Sequence, residues 1–593
     1  MRLLTPFLLL TLTVAATQAP TAPDRGPAAP PAAAEPVAPV AAPVAEPVAE
    51  PVAALRAELE RLVGSGGWRG VDRWGVMVVS LDRGDTLFAH AGDALMTPAS
   101  NLKLFTSAAA LHYLGPQFRY NTFLLADGVV EGGELRGDLV LYGTGDPTLS
   151  GRFGNQLAVW RAFADTLKSL GVMRISGAVV GDGSYFAGPG TGAGWKEDYM
   201  NASYAAPAGA LSYAENIATL EIRPAAQAGW RPEIRLVPGG DGIAIVNQAT
   251  TVTSGRSWVN VSRAAYDGPI TVRGQIRRGT GPLQRSIPVS DPARYAAAVL
   301  REVLRENGVE VAGGVRSVQT EAESPVTGRS VFAPAYDGAR PLRVLALHNS
   351  PPLIDILEIV NKRSHNLMSE QALRTVARVA TGEGTVEGGA RAVRHLLDEA
   401  TPGSDVPTIA MYDGSGLSPL NRVSARTTIH LLSYMRKSPM WEAYWQTLPE
   451  VAGPGGLRRM YQTGAERNLR AKTGTIDNVS ALSGYVRSGD GEMLAFSIMA
   501  NNVPSTWRAK RIEDAIGARL AAFTRSGRVL PEATERSRPP AAKAGAARTY
   551  RIRKGDTLSG IAKRHRTTVA ALEKANPGLS PRRLIPGKTI KLP

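Results

Sequence analysis

Ser100 and Lys103, within TPASNLKLFTSAAAL, place a hydroxyl and an amine three residues apart. On a helix that spacing shares a face, so the two groups can meet without help from the rest of the fold. A serine beside an amine is a nucleophile beside its base. Leu102, Leu104, Phe105, Ala108, Ala109 and Leu111 leave the segment almost no polar face, as expected of a buried helix. Burial matters to the chemistry, because an ammonium taken out of water becomes less basic and can accept a proton near neutral pH. Alone the spacing says little, since S-x-x-K arises by chance in long chains.

Ser364-His365-Asn366 stands in NKRSHNLMSE and Lys472-Thr473-Gly474 in LRAKTGTIDNVSALSGY. Each has an ordinary reading alone, a turn or cap for S-x-N and a strand end for K-T-G. In the order S-x-x-K, S-x-N, K-T-G they divide one acyl transfer among them. Ser100 attacks an acyl carbonyl while Lys103 takes its proton, and Lys472 favours the neutral form of Lys103 by like charge. Ser364 can relay the proton to the leaving amine, and Asn366 can hold a substrate amide or orient Lys103. Lys472 and Thr473 suit the terminal carboxylate of a peptide, while Gly474 leaves room for its backbone along a strand edge. Backbone N–H groups of Ser100 and Thr475 are the expected oxyanion donors. There is no cysteine, and the seven histidines show no HExxH pairing, so neither a metal site nor a cofactor is expected.

The elements that must position these groups follow from texture. Residues 1–19 read as a cleavable signal peptide, with Arg2 before a short apolar run and small residues near Ala16 and Ala19. Residues 20–53 are a Pro/Ala/Val/Glu linker that cannot bury a core. Residues 54–118 and 341–528 read as two halves of one α/β (α+β) catalytic domain, separated by a β-rich insertion at 119–340 with short strands and Gly-rich turns. Within the second half, LIDILEIVNKRSHNLMSEQALRTVARVA has continuous helical texture. A second linker, 529–548, leads to a small strand–helix–helix–strand module at 549–593. With 593 residues, 44% hydrophobic and 20% charged, the chain is globular and multidomain. Its net charge of +16 would suit nucleic acid or an anionic envelope, and the secretory start decides against nucleic acid. No stretch is long and apolar enough for a membrane span after signal cleavage.

The motif trio, with GTGDPTLS, PAGALSYAEN, DGSGLS and AKTGTIDNVSALSGY, resembles the class C low-molecular-mass penicillin-binding proteins, the D-alanyl-D-alanine carboxypeptidase/endopeptidase family, over roughly residues 54 to 525. The resemblance implies a penicillin-binding/β-lactamase-like transpeptidase fold, cleavage of peptidoglycan stem peptides, acylation by β-lactams as inhibitors, and a place in the periplasm or cell envelope. Two residues depart from the pattern. His365 stands where the family more often has Asp, and Pro419 follows DGSGLS where Arg is usual in the wall that reads the stem side chain. Ser415 is a candidate for contact there. The last module, with YRIRKGDTLSGIAKRH, ANPG and LIPGKTIKLP, resembles LysM, which implies binding to N-acetylglucosamine-containing glycan.

Two other functions use the same features. A serine β-lactamase shares the trio but must deacylate fast, and no ExxLN segment supplies the class A water-activating Glu. A catalytically silent peptidoglycan-binding protein would fit LysM and linkers equally well, but a retired site has no chemical reason to keep both lysines. Labelling by a tagged penicillin discriminates between an active and a silent site.

Overall fold

A computed structural model describes residues 50–65, 73–239, 243–327, 342–400, 409–527 and most of 549–592. The expected signal peptide, most of the first linker and the second linker lie outside the described residues. The catalytic centre is built on an antiparallel sheet in the order Arg470–Ile476, Val479–Arg487, Met493–Ala500, Trp74–Ser80, Thr86–His90. Trp74 pairs with Ala500 and Ser80 with Leu494, so residues some four hundred positions apart are hydrogen-bonded neighbours. The two halves are therefore joined by this ladder.

The three central strands are buried at nearly every position because both faces are covered. Met77, Val79, Ala481, Tyr485, Ala495 and Met499 point into one core, which they share with the helices Lys103–Leu114, Leu353–Lys362, Asn366–Thr381 and Ala425–Lys437. Val76, Val78, Leu482, Val486, Phe496 and Ile498 alternate to the other side. There they meet the helices Glu50–Gly64 and Thr506–Ala522, which pack on that face. The first helix starts at Glu50, and Val52 is buried, so the linker gives way to folded chain before residue 54.

The insertion is more helical than its sequence texture suggested. Helices Ala158–Ser169 and Pro292–Glu306 pack on a sheet built around the hairpin Asn121–Glu131 and Glu134–Gly143. Strand Leu342–Asn349 pairs with Asn121–Glu131 in that sheet, so the inserted sheet runs past the expected boundary at 340. Two three-stranded sheets between Ile217 and Pro288 enclose a small core of their own. The continuous helical texture after Leu353 is also interrupted. One helix ends at Lys362 and the next begins at Asn366, because Ser364 adopts φ +56°, a left-handed conformation that no α-helix continues through.

The last module is the strand–helix–helix–strand unit expected: Thr549–Arg551 pairs with Thr589–Lys591 around the helices Leu558–Arg564 and Val569–Ala575. Its core is Ile552, Leu558, Ile561, Ala562, Leu572 and Ile590. So small a core leaves little margin. Ile561→Ala, which removes a fully buried side chain at a cost of about 2–5 kcal/mol, is expected to abolish a separate low-temperature transition in calorimetry while the main transition stays within about 1 °C. An unchanged pair of transitions would contradict the assignment of this core.

Candidate active site

Ser100 lies on a 3₁₀ turn, Ala99–Leu102, and Lys103 opens the following α-helix, Lys103–Leu114. In a 3₁₀ turn residues three apart eclipse, which brings the two side chains closer than an α-turn would. The turn is held under strain: Ala99 has φ +47°, a conformation that costs a residue with a Cβ about 1–2 kcal/mol. What holds it is tertiary. The Asn501 side chain accepts from Thr97 N–H at 2.7 Å and donates to Thr97 O at 3.0 Å, and Asn101 Nδ2 donates to Ser483 Oγ at 2.7 Å. Gly416 closes the other side, where a Cβ would sit 1.8 Å from the Ala99 carbonyl.

Lys103 Nζ is 3.1 Å from Ser100 Oγ, 2.7 Å from Asn366 Oδ1 and 2.6 Å from the Ser415 carbonyl. Across the site, Lys472 Nζ is 3.0 Å from Ser364 Oγ and 2.7 Å from the Thr473 carbonyl. Both lysines are fully buried, whereas Ser100, Ser364, Asn366 and Thr473 are half-exposed and Thr475 is exposed. The hydroxyls and amide therefore face the cleft, and the amines stand behind them. The structure thus brings the three motifs together.

Burial pushes Lys103 down to about 7, against the opposing pull of Asp413 and Glu370. A change of that size disfavours the ammonium by roughly 5 kcal/mol. The position at a helix N-terminus acts in the same direction. Burial also lowers Lys472 well below its ordinary value, and repulsion from Lys103 adds to this.

Three residues singled out in the sequence have surroundings that the sequence did not specify. Gly474 lacks a Cβ because the Ser100 turn itself approaches: a Cβ would lie 2.6 Å from Pro98 O and 3.1 Å from Asn101 N. The glycine thus lets the motif strand seat against the turn, where room for a substrate backbone had been expected. Ser415 is fully buried, so its side chain lines no open wall; its carbonyl is what reaches the site, at Lys103. His365 caps the Asn366 helix, accepting from Met368 N–H at 3.4 Å, and its Nε2 is 3.0 Å from Glu215 of the insertion. Burial works against the charged form of Glu215, but hydrogen bonds from His365 and Arg152 outweigh it and hold that carboxyl down to about 2.

Several contributors escaped the sequence reading. Tyr204 O of the insertion accepts from Asn366 Nδ2 at 2.8 Å, which fixes Oδ1 toward Lys103. Glu370 and Asp413 are buried behind Lys103. The only sequence signal for Glu370 is its place four residues after Asn366, on the same helix face. Beside Pro419, Arg422 donates to the Pro419 and Asn421 carbonyls and to Thr97 Oγ1, so its guanidinium is engaged within the fold. Among the described residues there is no cluster of His, Asp or Glu that could hold a metal ion.

A half-exposed serine beside a buried, weakly basic amine, on a helix-flanked antiparallel sheet, is the arrangement of a serine hydrolase. Residues 55–523 match the family described as D-Ala-D-Ala carboxypeptidase 3 (S13), and the chain belongs to that family of serine-type D-Ala-D-Ala carboxypeptidases. Residues 550–593 match LysM, a peptidoglycan-binding domain. A D-alanyl-D-alanine carboxypeptidase of Actinomadura sp. (strain R39) is 32% identical over 486 residues, 79% of this chain and 85% of the relative. The D-alanyl-D-alanine carboxypeptidase DacB of Haemophilus influenzae is 28% identical over 432 residues, 71% and 84% of the two chains. The crystal structure of penicillin binding protein 4 (dacB) from Haemophilus influenzae superposes with a TM-score of 0.63 at 26% identity, covering 78% of this chain and 99% of that one. The same protein complexed with a β-lactam gives 0.61 at 25% identity over 79% and 100%.

The lowered basicity of Lys103 has a kinetic consequence. A base acts only when neutral, so the second-order rate of acylation by a penicillin is expected to rise with pH and level off above an acid limb near 7. Stopped-flow acylation between pH 5 and 9 measures this. A rate that keeps climbing toward pH 10, as an ordinary lysine would require, contradicts it.

Proposed function

We propose that this carboxypeptidase is exported, removes the terminal D-alanine of peptidoglycan stem peptides, also cleaves D-alanyl cross-links between stems, and is held to glycan by its LysM domain. The observation that carries the catalytic reading is the set of three neighbours around Lys103 Nζ. A neutral amine has two N–H bonds and one lone pair. Asn366 Oδ1 and the Ser415 carbonyl can only accept, so they take the two N–H groups, and the lone pair is left facing the Ser100 hydroxyl.

The steps follow. Lys103 takes the Ser100 proton as Oγ bonds to the carbonyl carbon of the penultimate D-alanine, and the carbonyl electron pair moves onto oxygen. The N–H groups of Ser100 and Thr475 receive that oxyanion; the contact that Gly474 permits between turn and strand supports their adjacency. Collapse breaks the C–N bond, and the proton held by Lys103 passes through Ser364 to the leaving amine. Water then attacks the Ser100 ester, Lys103 takes its proton, and the shortened stem leaves with Ser100 protonated again. Lys472 and Thr473 receive the terminal carboxylate, whose charge favours the ammonium of Lys472. Asn366 holds the Lys103 side of the site. In a cross-link the leaving amine belongs to a neighbouring stem, and the exposure of Thr475 at the strand end leaves that direction open. A β-lactam acylates Ser100 in the same way but keeps its leaving amine tethered.

Export is supported by the leader-like residues 1–19, and no helix among the described residues is long and apolar enough to cross a membrane. Tethering by LysM raises the local concentration of stems without adding an active-site contact.

The test uses mature protein, its Ser100→Ala variant and a form lacking 549–593, on purified sacculi and on a soluble stem pentapeptide. Release of D-alanine and of uncross-linked stems, absent in Ser100→Ala, is the expected result. Loss of LysM should slow only the reaction on sacculi, by about 10-fold or more. Cross-links left intact would remove the endopeptidase part, and equal rates on sacculi without LysM would remove the tether.

A further inference from the structure

Behind Lys103 lies a second layer of charge that the acyl-transfer steps do not use. Glu370 is fully buried on the Asn366–Thr381 helix, one turn beyond Asn366 and on its face. Its carboxylate accepts from Gly414 N–H on both oxygens, at 3.0 and 2.9 Å, and from Ser415 N–H at 2.8 Å. The Ser415 hydroxyl hydrogen-bonds it as well. The far side of the same turn is held by Asp413, which accepts from Gly416 N–H at 2.8 Å, Ser418 N–H at 2.6 Å, Asn421 Nδ2 at 2.8 Å and Trp195 Nε1 at 2.9 Å. Thr106 and Ser369 hydroxyls both donate to the Gly414 carbonyl at 2.7 Å. With the Gly414 carbonyl and the N–H groups of Gly414, Ser415 and Gly416 engaged inward, the Ser415 carbonyl meets Lys103 at 2.6 Å.

We propose that Glu370 is the positioning residue of this site: it fixes the Ser415 carbonyl as the second acceptor for Lys103 and supplies the buried negative charge that sets where Lys103 gains and loses its proton. One helix face thereby carries both controls on the base, Asn366 by direct contact and Glu370 through the turn. The proposal rests on the reading of Lys103 as the base.

The charges around the pair give the sign of the effect. Lys103 is faced by Glu370, by Asp413 from the turn and by Lys472 from the motif strand. Glu370 is faced by Asp413 and by the buried Arg374, which also faces Glu387 and donates to the Ala187 and Pro189 carbonyls. Burial and Asp413 push Glu370 up from the ordinary carboxylate range, against the pull of its backbone donors and Arg374, which favour the anion. Its anion favours the ammonium of Lys103, so removing the charge must lower the pH at which Lys103 becomes neutral.

The test is the pH profile of acylation by a fluorescent penicillin in the full chain. Glu370→Gln removes the charge and replaces one of the two accepting oxygens with an N–H₂ that cannot accept from the turn. Its plateau rate is expected to fall about 10-fold or more, and its acid limb to move down by at least about half a pH unit. Glu370→Asp keeps the charge but shortens the reach, so its plateau should fall while its limb stays within that margin of the parent. A structural role alone would lower the melting temperature and leave the Gln limb in place, and that result, or an upward move, overturns the proposal. Should Glu370→Gln fail to fold, Ser415→Ala removes only the hydroxyl that favours the Glu370 anion, and a smaller downward move is expected; a coincident limb overturns the proposal. If the parent itself shows no limb near 7, the base assignment of Lys103 fails first, and the two failures stay distinguishable.

Discussion

The structure depends on keeping one amine dry. Lys103 can serve as a base near neutral pH only because it is fully buried, and burying an ammonium without partners would be prohibitive. Three polar neighbours around Nζ resolve the conflict, one from its own turn, one from the Asn366 helix and one from the Ser415 turn. Each belongs to a different part of the chain, so the site exists only when the whole catalytic domain has closed. The ladder between Trp74–Ser80 and Met493–Ala500 is the covalently remote link that closes it.

The insertion belongs to this arrangement as well as interrupting it. Tyr204 orients the Asn366 amide through its carbonyl, and Glu215 holds His365 at the helix start where Ser364 turns. Both come from the segment PAGALSYAEN or just before it. The inserted domain therefore braces the S-x-N motif whose Asn366 meets Lys103.

Much of the site was legible in the sequence because chemistry restricts it locally. Ser100 and Lys103 need one turn of separation, and the residues of S-x-N and K-T-G need to be adjacent, so their spacing survives as text. The strands read as apolar runs because both faces of the sheet are covered. The break at Ser364 was invisible, since apolar periodicity runs on through Leu353–Lys362 and Asn366–Thr381, and a serine at positive φ has no compositional mark. The helices Ala158–Ser169 and Pro292–Glu306 were hidden among Gly-rich strand texture. Glu370, Asp413 and Tyr204 act through partners tens to hundreds of residues away, which one sequence does not pair. Gly474 was noticed for its missing side chain, but the sequence did not pair it with Pro98 and Asn101, which lie where a Cβ would be.

The central claim is that Lys103 is neutral when it acts, and the most direct measurement is its own titration. Protein carrying lysine labelled with ¹³C at Cε, assigned through the loss of one resonance in Lys103→Met, reports each amine by NMR from pH 5 to 11. The assigned resonance is expected to titrate near 7, against about 10 for an ordinary solvated lysine. A Lys103 resonance that titrates like an ordinary solvated lysine would mean that the amine is charged at neutral pH, and the reading of Ser100 and Lys103 as nucleophile and base would be wrong.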